Sequence, residues 1–316
     1  MYIYIAKRLL HAIFVVLGVL TLVFFSLHIT PGDPINMLVP AEAGAGASEE
    51  LIAQLRARHG LDQPIGVQYF RYIQNAVQLD LGNSIRSGRP VLQDLIRLYP
   101  ATFELTVASL LIATLLGTAA GIIAALNRSG VVDNLVMAFA LLGVSLPGFL
   151  LGLLLMLVFA LQLGWLPPSG RVGGFSWEAI RHLILPAATL GVAAAAIIAR
   201  LVRASMLEVL KEDYVRTARS KGLPERPVIL RHALKNALIP IVTVIGLEFG
   251  VLLSGAIIAE TIFAWPGLGR YLINGITGKD FPAVQGATVA IAITFVLVNL
   301  IVDLIYTALD PRVKYS

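Results

Sequence analysis

The sequence predicts an all-α, polytopic membrane protein with six transmembrane helices, and three observations lead to this fold class. Of its 316 residues, 57% are hydrophobic and 14% are charged, whereas an average soluble domain has roughly 45–50% apolar and about 25% charged residues. The apolar residues come in blocks of about 20, the length that crosses a bilayer core as a helix. Lys and Arg lie in the connections between these blocks, so the net charge of +5 indicates membrane topology rather than nucleic-acid binding.

Six apolar segments are the predicted spans. The first follows Lys7 and Arg8 and is expected to be retained, because it ends at a Pro-Gly turn rather than at a small-residue cleavage site. The third contains Pro147-Gly148, so we expect a kink or tilt there. The six run from about 9 to 29, 101 to 126, 135 to 163, 183 to 200, 239 to 259 and 283 to 306.

The distribution of basic residues predicts the orientation. Lys and Arg near the membrane are concentrated at the N-terminus, in the connection after the second span, in the connection after the fourth span and at the C-terminus. Because such residues favour the cytoplasmic side, both termini are predicted to be cytoplasmic.

The loop after the first span, residues 31–99, is predicted to carry two helices. Ser48 is a candidate cap of the first, which would end at Gly60. The second would start at Pro64, with Asp62 as a candidate cap. A loosely ordered loop is the alternative.

The charged connection between the fourth and fifth spans, residues 203–238, is the most informative segment. Its pattern predicts a helix, a break at Gly222-Leu223-Pro224 and a second amphipathic helix leading into the fifth span. Such a shape can dock into a groove on another protein, whereas the alternative is a solvated linker. The predicted division is therefore 1–30 for the N-terminal end and first span, 31–99 for an extracytoplasmic helical loop, and 100–316 for a core of five spans that contains this connection.

Several motifs carry a family resemblance. The connection reads DYVRTARSKGL from Asp213 and NALIP from Asn236. Together with TPGDP, SLPGF, ETIFAWPGLGRYL and NLIVDLIYTALDPRVKY, in this order along the chain, it resembles the permease subunits of ABC importers. The resemblance is to their dipeptide and oligopeptide branch and covers nearly the whole chain.

The resemblance implies a function and a set of partners. The chain would be a non-catalytic subunit of the bacterial inner membrane, forming half of a pathway for small peptides; glutathione, nickel complexes and oligosaccharides are alternative cargoes. It would need a second, homologous permease, two cytoplasmic ATPase subunits that bind ATP and Mg²⁺, and an extracytoplasmic substrate-binding protein. No cofactor is expected in this chain itself.

The resemblance also implies that the short helix of the connection inserts into a cleft on an ATPase subunit. Where the general motif has Glu-Ala-Ala, this chain has Arg216-Thr217-Ala218. The residues implied in the coupling contact are Asp213, Tyr214, Arg216, Thr217, Ala218, Lys221 and Gly222.

Three further residues are candidates for the translocation pathway. Glu248 falls near the middle of the fifth span, where a carboxylate must face the bundle interior, pair or be protonated. We expect it to contact the cationic amine of a peptide, with a hydrogen-bonded packing role as the alternative. Phe263 and Trp265 lie in the aromatic segment after this span, which by resemblance lies near the mouth of the pathway or else is an aromatic anchor at the membrane interface.

Other kinds of site are excluded by residue type and spacing. The chain has no cysteine, its five histidines show no metal-ligand spacing, and no Gly-rich phosphate loop ends in Lys-Ser or Lys-Thr. An intramembrane protease would need paired Asp, Ser-His or a zinc site within the spans. A stand-alone channel or secondary carrier is the alternative of another class, and it would work without an ATPase.

Overall fold

The computed structural model describes residues 2–29, 49–58 and 61–309, and these residues are helical apart from turns, connecting segments and one antiparallel bridge between Asn83 and Pro90. The all-α prediction is confirmed. The helices are α1 (Tyr2–Ile29), α2 (Glu49–Arg58), α3 (Ile65–Val77), α4 (Val91–Leu126), α5 (Val131–Ser145), α6 (Gly148–Leu155), α7 (Trp177–Val209), α8 (Asp213–Ser220), the single turn α9 (Glu225–Pro227), α10 (Leu234–Ile262), α11 (Leu268–Thr277) and α12 (Phe281–Leu309).

Four helices of the described chain, α4, α7, α10 and α12, are long and apolar enough to cross a membrane. A fifth crossing is formed if the bent pair of α5 and α6 counts as one span. The first predicted span lies in α1, whose apolar stretch Ile13–Ile29 is shorter than the other spans, so the sixth crossing stays a prediction. Both α4 and α7 begin well before the predicted spans, because hydropathy marks only the apolar part of a longer helix.

The predicted kink at Pro147 is confirmed, and it is a break rather than a gentle bend. The segments Val131–Ser145 and Gly148–Gln162 meet at 106°. Pro147 has no backbone N–H to continue the ladder of α5, and Leu146 before it is extended, with ψ 127°. The second arm ends in a π-helical segment, Met156–Gln162.

The chain divides into two compact units, of which one contains Thr102–Trp265 and Leu297–Ser316. Its core is built where α7 packs on α4 and α10, around the fully buried Ile198, Val202 and Ile241. A Cβ atom added to Gly117 or Gly121 of α4 would lie within 2.8 Å of the backbone or side chains of α7. These small residues therefore let α4 and α7 approach at backbone distance, as is typical of helix pairs in membranes.

The other unit contains Met1–Ala101 and Pro266–Val296. Here α3 packs on α1 through the rings of Phe24 and Tyr69, and the Thr21 and Tyr69 hydroxyls are 2.8 Å apart. The two predicted loop helices are present as α2 and α3, while Ser48 and Gly60 lie outside the described residues. The predicted Asp62 cap is wrong: α3 has Pro64 at its N-cap and no side-chain cap, because Asp62 instead accepts a hydrogen bond from the Gln63 amide.

A buried carboxylate fixes the start of α12 in the same unit. Asp280 is 3% exposed and caps the helix by accepting from the backbone N–H of Ala283. It also accepts hydrogen bonds from the Ser84 hydroxyl at 2.6 Å and from the backbone N–H groups of Ile85 and Arg86. One side chain therefore holds the turn before α4 against the N-terminus of α12.

The predicted division at residues 30/31 and 99/100 separates segments by their expected position in or beside the membrane, whereas the two units are separated by contacts within the chain. The predicted division therefore stays a prediction.

Candidate functional site

The predicted docking helix is present as α8, within the connector between α7 and α10, which we define as residues 210–233. The helix begins at Asp213 and ends at Ser220. Asp213 lies in its first turn and Arg219 in its last, the arrangement that favours a helix through its dipole.

The two faces of α8 differ sharply. Val215 and Ala218 are buried and pack with Val228 against the end of α7. On the other face Arg216 and Thr217 are exposed, and Tyr214, at the edge between the two faces, is 42% exposed. The apolar face therefore attaches α8 to its own unit, and the polar face is left for another molecule.

Gly222 ends α8 in a Schellman motif. The N–H of Gly222 donates to the carbonyl of Arg219 at 2.9 Å, and the N–H of Leu223 donates to that of Ala218 at 3.4 Å. Gly222 has a φ of +76°, which costs residues with a Cβ atom roughly 1–2 kcal/mol. The glycine predicted to break the helix thus fixes where the connector turns.

Further polar contacts hold the connector in place. The Asn236 amide donates to the Tyr214 hydroxyl at 3.0 Å and so joins α8 to the first turn of α10. Arg219 pairs with Glu225 across the Gly222 turn, with Nε 2.8 Å from the carboxylate. The ion pair is exposed and contributes little energy by itself, about 0–1 kcal/mol, so the apolar contacts of α8 are its main attachment.

A buried ion pair lies just before the connector, and sequence reasoning missed it. Asp133 at the start of α5 is 2% exposed and accepts two hydrogen bonds of 2.6 Å from Nε and Nη2 of Arg203 in α7. The Ser129 N–H donates to the same carboxylate at 2.9 Å. The bidentate pair ties the turn between α4 and α5 to the end of α7 that carries α8.

The structure places the predicted coupling residues on one short segment, but not all on one surface. Exposed positions are held by Asp213, Tyr214, Arg216, Thr217, Lys221 and Gly222. Ala218, in contrast, is 6% exposed and packs inside its own unit. Its side chain therefore positions α8, and its predicted contact with a partner is not available in this structure.

Glu248 lies in α10 and is 8% exposed. Among the described residues, no hydrogen bond or ion pair joins its carboxylate to another group. Next to it, the exposed residues Leu247, Val251, Ser254 and Ile258 form a stripe at helical spacing. A buried carboxylate without a partner is costly, so the position points to function, and a contact with cargo stays a prediction.

Phe263 and Trp265 belong to a partly buried cluster that we call the aromatic joint: Glu104, Gly170, Arg171, Glu260, Phe263 and Trp265. The Gly170 N–H donates to the Phe263 carbonyl at 2.8 Å. Arg171 donates twice to Glu104, at 2.7 and 2.9 Å, and its guanidinium carbon lies 5.9 Å from the centroid of the Trp265 ring. The two aromatic side chains are only 1% and 0% exposed, which indicates packing within the chain, so their predicted contact with cargo or with the membrane interface stays a prediction.

In the part of the chain that the structure describes, no group of three or more His, Asp or Glu side chains could hold a metal ion.

Comparison with known proteins identifies the family. The profile described as "Binding-protein-dependent transport system inner membrane component" matches residues 117–315, and the profile of the corresponding N-terminal region matches residues 1–106. The glutathione transport system permease protein GsiC of Escherichia coli strain K12 is 46% identical over 99% of both chains. GsiC of Salmonella typhimurium strain LT2 is 45% identical over the same shares.

Solved structures support the fold. A chain of the inward-facing MetNI methionine ABC transporter matches with a TM-score of 0.59 and 20% identity, over 70% of this chain and 98% of that one. A chain of an amino acid ABC transporter matches with a TM-score of 0.50 and 17% identity, over 70% and 94%. The chain belongs to the binding-protein-dependent transport system inner membrane components and is a multi-pass permease subunit of an ABC importer.

Proposed function

We propose that this permease forms half of an ATP-driven import pathway for small peptides across the bacterial inner membrane, with glutathione as the first cargo to test. The relatives that carry glutathione in their names cover the whole length of the chain. Nickel complexes and oligosaccharides are the alternative cargoes. The other half of the pathway is a second, homologous permease, because one chain carries one docking helix and would engage one of two ATPase subunits.

The two-faced structure of α8 is the observation that supports this proposal. Val215 and Ala218 attach it to α7, and its polar face carries Arg216 and Thr217 outward, with the partly exposed Tyr214 at its edge. An amphipathic helix with its apolar side already buried in its own chain presents a rigid polar surface to a partner. In the proposal this partner is a cytoplasmic ATPase subunit, which binds ATP and Mg²⁺; both termini and α8 then lie in the cytoplasm.

The pathway is proposed to follow the exposed stripe of α10 beside Glu248. That face is apolar apart from Ser254, and its own unit leaves it uncovered. A substrate-binding protein would deliver cargo at the opposite side of the membrane from α8. Glu248 would then attract the amine of a peptide as it passes.

The test is uptake by proteoliposomes that contain both permeases and both ATPases, supplied with the binding protein, ATP and radiolabelled glutathione. We expect the double variant Arg216→Ala, Thr217→Ala to lose ATP-dependent uptake while the membrane subunits still assemble. Arg200→Ala is the matched control, since Arg200 is exposed near the end of α7 and lies outside α8. Uptake that persists with the ATPases left out would contradict the proposal.

A further inference from the structure

A half-open pocket of about 380 Å³ lies within the unit that contains α1, α3 and the start of α12. Its walls include Phe24 and His28 of α1, Arg71 and Tyr72 of α3, and Phe281 of α12. A volume of this size lies near the lower end of the range for small-molecule sites, about 300–1,000 Å³. The pocket therefore lies beside the C-terminal end of α1 and the N-terminal end of α12.

The helix α3 contributes polar side chains to this pocket. Gln68, Arg71 and Asn75 lie on one face of the helix and line the pocket. Phe70 and Val77 lie on the opposite face and are 69% and 76% exposed. Tyr69 and Tyr72 pack against Phe24 of α1, so α3 turns an aromatic face toward α1 and lends the adjoining polar side chains to the cavity.

Part of the wall is already rigid. Gln68 Nε2 donates to the Gln63 carbonyl at 2.7 Å, which aims Gln68 Oε1 at His28 Nε2, 3.2 Å away. His28 Nδ1 lies 2.8 Å from the Phe24 carbonyl oxygen. These contacts hold α3 against α1 and use up the polar atoms of His28 and Gln68.

Other polar groups of the wall are left for a ligand. The Tyr72 hydroxyl is buried without a hydrogen-bond partner among the described residues, an arrangement that costs free energy. Burial raises the pKa of Tyr72 well above its usual range, so the side chain stays a neutral phenol that can donate. Arg71 and Asp80 carry opposite charges in the same wall, and among the described residues no ion pair joins them; Asp80 accepts one hydrogen bond, from the Gly82 N–H.

We propose that this pocket binds a small zwitterion, with its oxyanion at Arg71 and Tyr72 and its ammonium group at Asp80. A cation and an anion that line one cavity unpaired are matched by a ligand that carries both charges. The aromatic rings of Phe24 and Phe281 form an apolar surface for the part of the ligand between them. Two sources supply this chemistry: a free peptide and the headgroup of phosphatidylethanolamine.

The test uses the intact transporter, purified with all its subunits but without the binding protein, and needs neither ATP nor transport. Equilibrium dialysis measures the binding of radiolabelled dialanine, and native mass spectrometry measures retained phosphatidylethanolamine. Arg71→Gln and Asp80→Asn should each weaken binding by about two- to fivefold, because both side chains are exposed and water weakens an exposed ion pair. Ala76→Phe should block binding by filling the pocket, because Ala76 lines it.

Matched controls keep the result interpretable. Arg97→Gln and Asp62→Asn remove the same charges at exposed positions outside the pocket, and Tyr69→Phe removes a hydroxyl that already has a partner. These variants should bind like the original protein, and N-acetyl-dialanine, which lacks the ammonium group, should bind more weakly than dialanine. The proposal is overturned if neither probe binds, or if Arg71→Gln and Asp80→Asn bind as well as their controls. This experiment measures binding and not transport. The pocket proposal can therefore fail while ATP-driven import is confirmed, and import can fail while the pocket binds its ligand.

Discussion

The docking helix α8 and the aromatic joint use polar residues in opposite ways. In α8 the buried residues are Val215 and Ala218, and the polar residues point outward. In the aromatic joint Glu260 and Trp265 are fully buried. Arg171 there donates hydrogen bonds to Glu104 and also lies over the Trp265 ring. Both belong to the same unit and flank the same long helices.

The difference teaches which segment is available to a partner. Polar groups paired within the chain stabilise it and have little left to offer another molecule. Polar groups left exposed on a well-anchored helix contribute little to stability, so they are available to contact a partner. Variants should therefore separate: changes in the joint should reduce stability, and changes on the exposed face of α8 should reduce coupling.

The largest expected effect is on stability, from Trp265→Ala. Trp265 is fully buried, and truncating a buried Trp leaves a cavity that costs about 3–5 kcal/mol. Denaturant unfolding of the purified transporter measures the loss. Trp177→Ala is the matched control, because Trp177 is 71% exposed; equal losses for the two would mean that the joint is not a packed core.

The next effect comes from Arg203→Ala, which leaves the Asp133 carboxylate buried without its cation. Removing one partner of a buried ion pair typically costs about 3–5 kcal/mol, and we expect about 3 here because Arg203 is itself 28% exposed. The double variant Asp133→Asn, Arg203→Gln should be more stable than Arg203→Ala in the same unfolding measurement. If the single variant were as stable as the original chain, the pair would not fasten α5 to α7.

A smaller loss is expected from Gly222→Ala. The positive φ of Gly222 makes alanine unfavourable by roughly 1–2 kcal/mol, although there is open space for its Cβ atom. The temperature of thermal unfolding and the rate of ATP-dependent uptake should both decrease. Gly66→Ala, in the first turn of α3 and also with open space, should be neutral or slightly stabilising, by up to about 1 kcal/mol.

The smallest effect on stability is expected for Tyr214→Ala, whose side chain is 42% exposed. Its free energy of unfolding should fall by only about 0.5–1 kcal/mol, because the one contact of its hydroxyl among the described residues is the hydrogen bond from the Asn236 amide. ATP-dependent uptake should nevertheless fall, because the aromatic ring leaves the docking face. A large loss of stability with unchanged uptake would reverse the roles assigned to α8 and the joint.

The sequence predicts the local features of this molecule well. Apolar block length marks α4, α7, α10 and α12, and Pro147 and Gly222 mark the break after α5 and the end of α8. These features depend on neighbouring residues, whose backbone preferences act within a few positions. The same pattern did not predict the interruption between α7 and α8 at residues 210–212, because no Gly or Pro marks it.

Features that depend on distant residues could not be predicted. Asp133 and Arg203 are 70 positions apart, and Glu104 and Arg171 are 67 apart, so no periodicity connects them. The burial of Phe263, Trp265 and Ala218 depends likewise on what packs over them. Hydropathy therefore gives the spans, but it does not distinguish a side chain that lines a surface from one enclosed by its own chain.

One measurement tests the docking role of α8 directly, and the absence of cysteine from the chain makes it simple. Thr217→Cys and Ala218→Cys would each give this permease a single cysteine, at neighbouring exposed and buried positions. Each variant is treated with a maleimide that carries a photoreactive group and is then irradiated in the assembled transporter. We predict that an ATPase subunit is crosslinked through position 217 and not through position 218. A Thr217→Cys protein that is labelled but yields no crosslink to an ATPase subunit would contradict the docking role of α8.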